Sequence, residues 1–109
     1  MKIFYISLIL FGINTIADEF IVIDVRTPEE FKSGHIEESS NVEWQIISSI
    51  IDEVKKDQKI YLYCRSGGRS QKATDILVDL GYKDVTNLGG ISDAAIFLER
   101  NITEWKIFL

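Results

Sequence analysis

Cys64 is the only cysteine among the 109 residues, and Arg65-Ser66-Gly67-Gly68-Arg69-Ser70 follow it directly. A single cysteine cannot close an internal disulfide. It also leaves no two-thiol Cys-x-x-Cys motif and no cysteine-based structural zinc site. Its thiol can act as a nucleophile where the surroundings favour the thiolate, and the next six residues are of that kind. Two adjacent glycines let the backbone take left-handed or otherwise restricted dihedrals. A tight loop of that sort can turn several N–H groups inward as an anion-binding nest, and a helix after it adds its unpaired N–H groups and its dipole. Arg65 and Arg69 add two positive charges. A sulfur at the mouth of such a bowl is expected to titrate below the ~8.5 of a free thiol. It would hold an anionic sulfur attached to it better still. The ordinary alternative for a lone cysteine is an inert buried thiol at a strand end, but an apolar core has no need of an anion nest beside it.

Asp24 and Arg26 stand at the end of an earlier apolar run and are expected on the same side of the fold. They are candidate supporting residues, with Arg26 paired to Glu30 and Asp24 accepting loop N–H groups, so that they position the loop. His35 is the only histidine and the only candidate base. It lies in a Gly34-His35-Ile36 turn, where a structural role is expected. With one histidine and one cysteine, a metal-centred mechanism has almost no ligands to use. The charge balance is 12 Lys+Arg against 17 Asp+Glu, a formal −5. That argues against nucleic acid as the main partner, because phosphate neutralisation needs a basic face.

The elements that must hold these groups follow from the apolar pattern. Phe20 to Val25 is a continuous β-branched run, as in a strand covered on both faces. Thr27-Pro28-Glu29-Glu30 then spells a capping box with proline in the first turn, and a short helix to Ser33 ends at Gly34. His35 to Val42 reads as a loop with a short strand. Over residues 44–55, Trp44, Ile47, Ile51 and Val54 recur at helical spacing. Lys59 to Cys64 is a second central strand. A helix from Arg69 or Ser70 carries Ala73, Ile76, Leu77 and Leu80 on one face and stops at a C′ glycine, Gly81. Asp84 to Leu88 is a short strand, Gly89-Gly90 a turn, and residues 92–100 are helical. Trp105, Ile107, Phe108 and Leu109 are expected to pack back over the core. Strands alternating with helices give an α/β fold, a central parallel sheet with helices on both faces, in a single small domain. Ligands in such sheets sit beyond the carboxyl ends of the strands, where Cys64 falls.

Residues 1–17 are expected to lie outside that domain. Lys2, the apolar run 3–13 and the small residues Thr15 and Ala17 have the layout of a secretory signal peptide, and the run is shorter than the roughly 20 residues of a membrane span. The domain then covers 18–109, with a helical tail from about residue 92. The chain is expected to be exported, to a bacterial periplasm. An uncleaved anchor is the alternative, and only then is a membrane a partner.

Several stretches resemble the rhodanese homology domain, in order and at its spacing. They are Val22-Ile23-Asp24-Val25-Arg26-Thr27-Pro28-Glu29-Glu30-Phe31, Gly34-His35-Ile36, Tyr63-Cys64-Arg65-Ser66-Gly67-Gly68-Arg69-Ser70, Gly81-Tyr82 and Asn87-Leu88-Gly89-Gly90. The likeness covers residues 20–91 or so and is most specific in the cysteine loop. The layout looks like that of the small exported single-domain members. The resemblance implies a cofactor-free thiosulfate sulfurtransferase with ping-pong kinetics. Cys64 would be the nucleophile and persulfide carrier. The N–H groups from Arg65 to Ser70 would stabilise the persulfide, and Arg65 and Arg69 would bind the anionic donor and the departing sulfite. The acceptor would be cyanide or a thiol. One stretch departs from the family. Many relatives carry Gly-Ala-x-Asn-Ile-Pro after the histidine, where this chain has Glu38-Ser39-Ser40-Asn41-Val42-Glu43.

Two rival functions share these features. A phosphatase of the same fold needs cysteine, five residues, then arginine, whereas here Arg69 follows after four and Ser70 holds the required position. Phosphatase activity is therefore expected to be absent. A persulfide carrier or sulfur-sensing module would load the same sulfur without turnover, and one equivalent of bound sulfur is what would mark it.

Overall fold

The computed structural model describes residues 19–105. The expected signal segment and the tail residues Ile107, Phe108 and Leu109 lie outside the described residues.

Strand β1 (Phe20–Asp24) leads into helix α1 (Pro28–Ser33). The capping box forms as its sequence dictates. The Glu30 N–H donates to Thr27 Oγ1 at 3.2 Å, and the Thr27 N–H donates to Glu30 Oε1 at 3.0 Å. Short strands β2 (His35–Ile36) and β3 (Ser40–Asn41) follow. Strand β4 (Lys59–Cys64), helix α2 (Gly68–Asp79), strand β5 (Val85–Gly90), helix α3 (Ile91–Leu98) and strand β6 (Ile102–Thr103) complete the order. The main sheet runs β3-β1-β4-β5 with every pairing parallel, and β2 pairs antiparallel with β6.

Strand alternation splits the interior into two layers. Ile23, Ile60, Leu62 and Cys64 face Ile47, Ile50, Ala73 and Leu77 on one side of the sheet. Val22 and Tyr63 face Ile36 and Ala94 on the other. The parallel sheet with helices over both faces is therefore as expected. Helix α2 ends in a Schellman pattern, with the Gly81 N–H on Val78 O and the Tyr82 N–H on Leu77 O, both at 3.0 Å. Gly81 takes φ +100°, the conformation that makes glycine the usual residue there.

Four local expectations are corrected. Trp44–Asp52 is a 3-10 helix interrupted at Ile46, not an α-helix over 44–55. Side chains three apart eclipse in a 3-10 helix, so Ile47 and Ile50 are buried while Ile51 is 44% exposed. Gly89-Gly90 is no turn but the bulged end of β5: Leu62 pairs with Asn87, yet Cys64 pairs with Gly90. The tail is not wholly helical, since Glu99 closes α3 in the left-handed region and β6 follows. Trp105 does not cover the core; it is 56% exposed, and its N–H donates to Lys32 O.

Candidate active site

Cys64 is the last residue of β4 and points to the α2 side of the sheet, in line with Ile60 and Leu62. The chain then turns through Arg65-Ser66-Gly67 into α2. Gly67 is left-handed at φ +107° and is the N-cap of α2, with no side chain to cap it. The helix amides thus turn toward the sulfur. The Gly67 N–H lies 2.9 Å from Cys64 Sγ, the Ser70 N–H 3.4 Å and the Ser70 hydroxyl 3.3 Å. Burial pushes the thiol up. Donation from the Ser70 hydroxyl and from the amides of Ser70, Ser66 and Gly67 outweighs it and holds the thiol below its ordinary value.

The sulfur does not perch at the mouth of the bowl. Cys64 is 1% exposed and lies on the floor, while Arg65, Ser66 and Gly68 above it are exposed. Nor do both loop glycines need their freedom. A Cβ on Gly68 would meet nothing within 4 Å, and its φ lies outside the left-handed region. The close approach is elsewhere: a Cβ on Gly90 would stand 2.6 Å from Arg65 O. The β5 bulge brings that glycine against the loop, a device common beside functional sites.

Asn87 is the residue that sequence reasoning missed. Its Oδ1 accepts from the Ser70 hydroxyl at 2.7 Å and from the Gly89 N–H at 2.8 Å. Its Nδ2 donates to Gly67 O at 3.2 Å and to Gln71 Oε1 at 3.1 Å. Asn87 therefore ties the middle of the cysteine loop and the start of α2 to β5. The only sequence signal was an asparagine just before Leu88-Gly89-Gly90.

The arginines divide. Arg26 is buried and pairs with Asp24, not with Glu30. Its Nη2 lies 2.7 Å from Asp24 Oδ2 and 2.6 Å from Gly34 O. The Asp24 carboxylate also accepts the Arg26 N–H at 2.9 Å. Both are positioning groups, and the side chain of Asn41 braces the same corner by donating to Asp24 O and Arg26 O. Arg69 is not a free anion ligand. It forks onto Glu30, Nη1 to Oε1 at 2.8 Å and Nη2 to Oε2 at 3.0 Å. That contact, with the Thr27 amide and hydroxyl and against burial, brings Glu30 down to about 2. Arg65 makes no ion pair among the described residues. His35 is structural as expected, stacked on Phe31 with ring centroids 3.7 Å apart and with Nδ1 2.7 Å from Phe31 O.

The family model described as Rhodanese-like domain matches residues 13–95. The chain belongs to the rhodanese-like domain family. It is 36% identical over 73 residues to a sulfurtransferase from Allochromatium vinosum, covering 67% of this chain and 68% of that one. It is 33% identical over 76 residues to the thiosulfate sulfurtransferase PspE of Escherichia coli, covering 68% and 73%. Other curated relatives are longer, and the chain spans 58% of one and 47% of another. Among solved structures, an E. coli rhodanese with anions superposes with a TM-score of 0.72 at 28% identity, over 80% of this chain and all of that one. Sulfur transfer is the activity that these rhodanese relatives' names carry.

Proposed function

We propose that this rhodanese domain is a sulfurtransferase that moves sulfane sulfur from thiosulfate or a similar donor through a persulfide on Cys64. One observation carries this reading: the thiol receives N–H and O–H donors from Gly67 and Ser70 at 2.9–3.4 Å. Donors fixed before the reaction stabilise charge on sulfur without reorganising. The Cys64 thiolate attacks the outer sulfur of thiosulfate, forming a new S–S bond. The old S–S bond breaks, and sulfite leaves with its electron pair. The new outer sulfur stands about 2 Å beyond Sγ. Cyanide or a thiolate then attacks that sulfur, and the Cys64 thiolate is restored. Arg65 meets the charge of the donor, while the amides of the loop face both thiolate and persulfide.

The burial of Cys64 favours small donors and acceptors. It also supports turnover over a carrier that must dock a large protein onto the sulfur. The test is an intact mass after thiosulfate treatment, followed by steady-state thiosulfate-to-cyanide turnover. The expected result is a gain of one sulfur that cyanide removes, continued turnover, and loss of both in Cys64→Ser. One bound sulfur without turnover would instead establish the carrier, and no gain of sulfur would overturn both.

A further inference from the structure

Three arginines stand at the edge of the sheet where the donor must arrive, and two of them already hold a carboxylate. Arg26 is neutralised by Asp24. Arg69 is neutralised by Glu30, through both of its terminal nitrogens. Glu30 is not a mobile partner. Its Oε1 also accepts the Thr27 N–H at 3.0 Å and the Thr27 hydroxyl at 3.1 Å, so the capping box of α1 fixes the carboxylate where Arg69 meets it. Arg69 in turn lies in the first turn of α2, two residues after the Gly67 amide that donates to the sulfur. The pair therefore sits at the rim of the site, with the two side chains 32% and 28% exposed.

We propose that Glu30 is a specificity-determining residue: by occupying the fork of Arg69 it leaves Arg65 as the one arginine at the rim without an ion pair among the described residues, and so selects sulfur donors with a single negative charge over doubly charged ones. This rests on the sulfurtransferase reading above. A dianion such as thiosulfate meets one arginine and, at the Glu30–Arg69 pair, no net positive charge. A singly charged donor, such as an organic persulfide or a thiosulfonate, brings no charge beyond what Arg65 and the loop amides meet. The low titration of Glu30 keeps that carboxylate charged wherever the thiolate exists.

Glu30→Gln tests this without removing the cap, because glutamine serves equally at the third position of a capping box. The full chain and the variant are compared with two donors that carry the same kind of outer sulfur: thiosulfate, a dianion, and methanethiosulfonate, a monoanion. The thiosulfate KM is expected to fall about fivefold in the variant, the fold-change of ~1 kcal/mol for one exposed ion contact. The methanethiosulfonate KM is expected to move far less. The double variant Glu30→Gln, Arg69→Ala should bring the ratio of the two KM values back toward that of the unmodified chain, since both charges are gone. A structural role alone would raise KM or lower kcat for both donors together. If the unmodified chain gains no sulfur from either donor, the sulfurtransferase reading fails and this one with it. If it gains sulfur but Glu30→Gln leaves the KM ratio unchanged, this proposal alone is wrong.

Discussion

The Ser70 hydroxyl has one proton and three acceptors within reach, Cys64 Sγ at 3.3 Å, Gly67 O at 3.2 Å and Asn87 Oδ1 at 2.7 Å. When the sulfur is neutral, Asn87 holds that proton most closely. When the sulfur is charged the proton can turn to it, and Asn87 Oδ1 still has the Gly89 N–H. Removing the hydroxyl in Ser70→Ala is therefore expected to raise the thiol's titration. The rate of Cys64 alkylation by iodoacetamide follows the thiolate, so it falls as pH drops through the thiol's pKa. Its midpoint should lie below ~8.5 in the unmodified chain and higher in Ser70→Ala. An unmodified midpoint at the ordinary thiol value would contradict the role given to the loop amides. Glu30 gives a second pH effect, of the carboxylate sign. Its folded value of about 2 lies below the ~4.3 of a free glutamate. The stability it contributes is present above ~4.3 and is lost as pH falls toward 2. Urea midpoints measured through that window should drop more steeply in the unmodified chain than in Glu30→Gln. The nucleophile and its donors were legible in the sequence because they lie within seven residues of one another, in a loop whose glycines and helix start announce it. The partners of Arg26 and Arg69 were not legible, because either arginine could have reached Glu30 and only the folded geometry chooses.

At the scale of the elements, backbone conformation separates glycines that look alike. Gly67→Ala places a side chain at φ +107° and should cost roughly 1–2 kcal/mol. Gly68→Ala opens no clash and puts a better helix former at the first position of α2, so it should be neutral or stabilising by up to ~1 kcal/mol. Gly90→Ala forces the Arg65 carbonyl away and should lower sulfur uptake by moving the loop. Thermal midpoints paired with the mass assay separate the three. The departure after the histidine has a physical reading too. Glu38 sits at φ +65°, a conformation that favours glycine. Glu38→Gly should raise stability by about 0.5–1 kcal/mol, the relieved left-handed strain less the added freedom of the unfolded chain. Its ion pair with Arg100, at 3.6 Å on an exposed side chain, offers little to set against that. Helices α1 and α2 could be read because caps are local: Thr27 with Glu30, and Gly81 after Leu80. The 3-10 helix was misread in phase because its apolar residues fit either spacing, and packing against β1 and α2 decides. The β5 bulge was invisible for a related reason. Register belongs to two strands at once, and nothing in Asn87-Leu88-Gly89-Gly90 alone says which residue will stand beside Cys64.

Across the whole molecule, one sheet edge collects every group of the site, and the two apolar layers hold that edge from either side. In so small a domain a single buried leucine matters. Leu77→Ala, in the layer that includes Cys64, should cost about 2–5 kcal/mol, out of a total of the order of 5–15 kcal/mol. Urea unfolding should show that loss while sulfur loading persists below the transition, because the hydrogen bonds on the Leu77 carbonyl come from Leu80 and Tyr82 and not from the loop. The sheet order and the covered faces followed from the alternation of strands and helices, which is a property of the chain as a whole. The antiparallel pair β2–β6 did not, since two-residue strands carry no periodicity. That pair joins His35 and Ile36 to Thr103 and Ile102, and Trp105 reaches back to Lys32 on α1. A nascent chain leaving the ribosome must therefore wait for residues 102–105 before the wall that carries Glu30 can be fastened. Until then a protease finds that corner open, even with the cysteine loop already made.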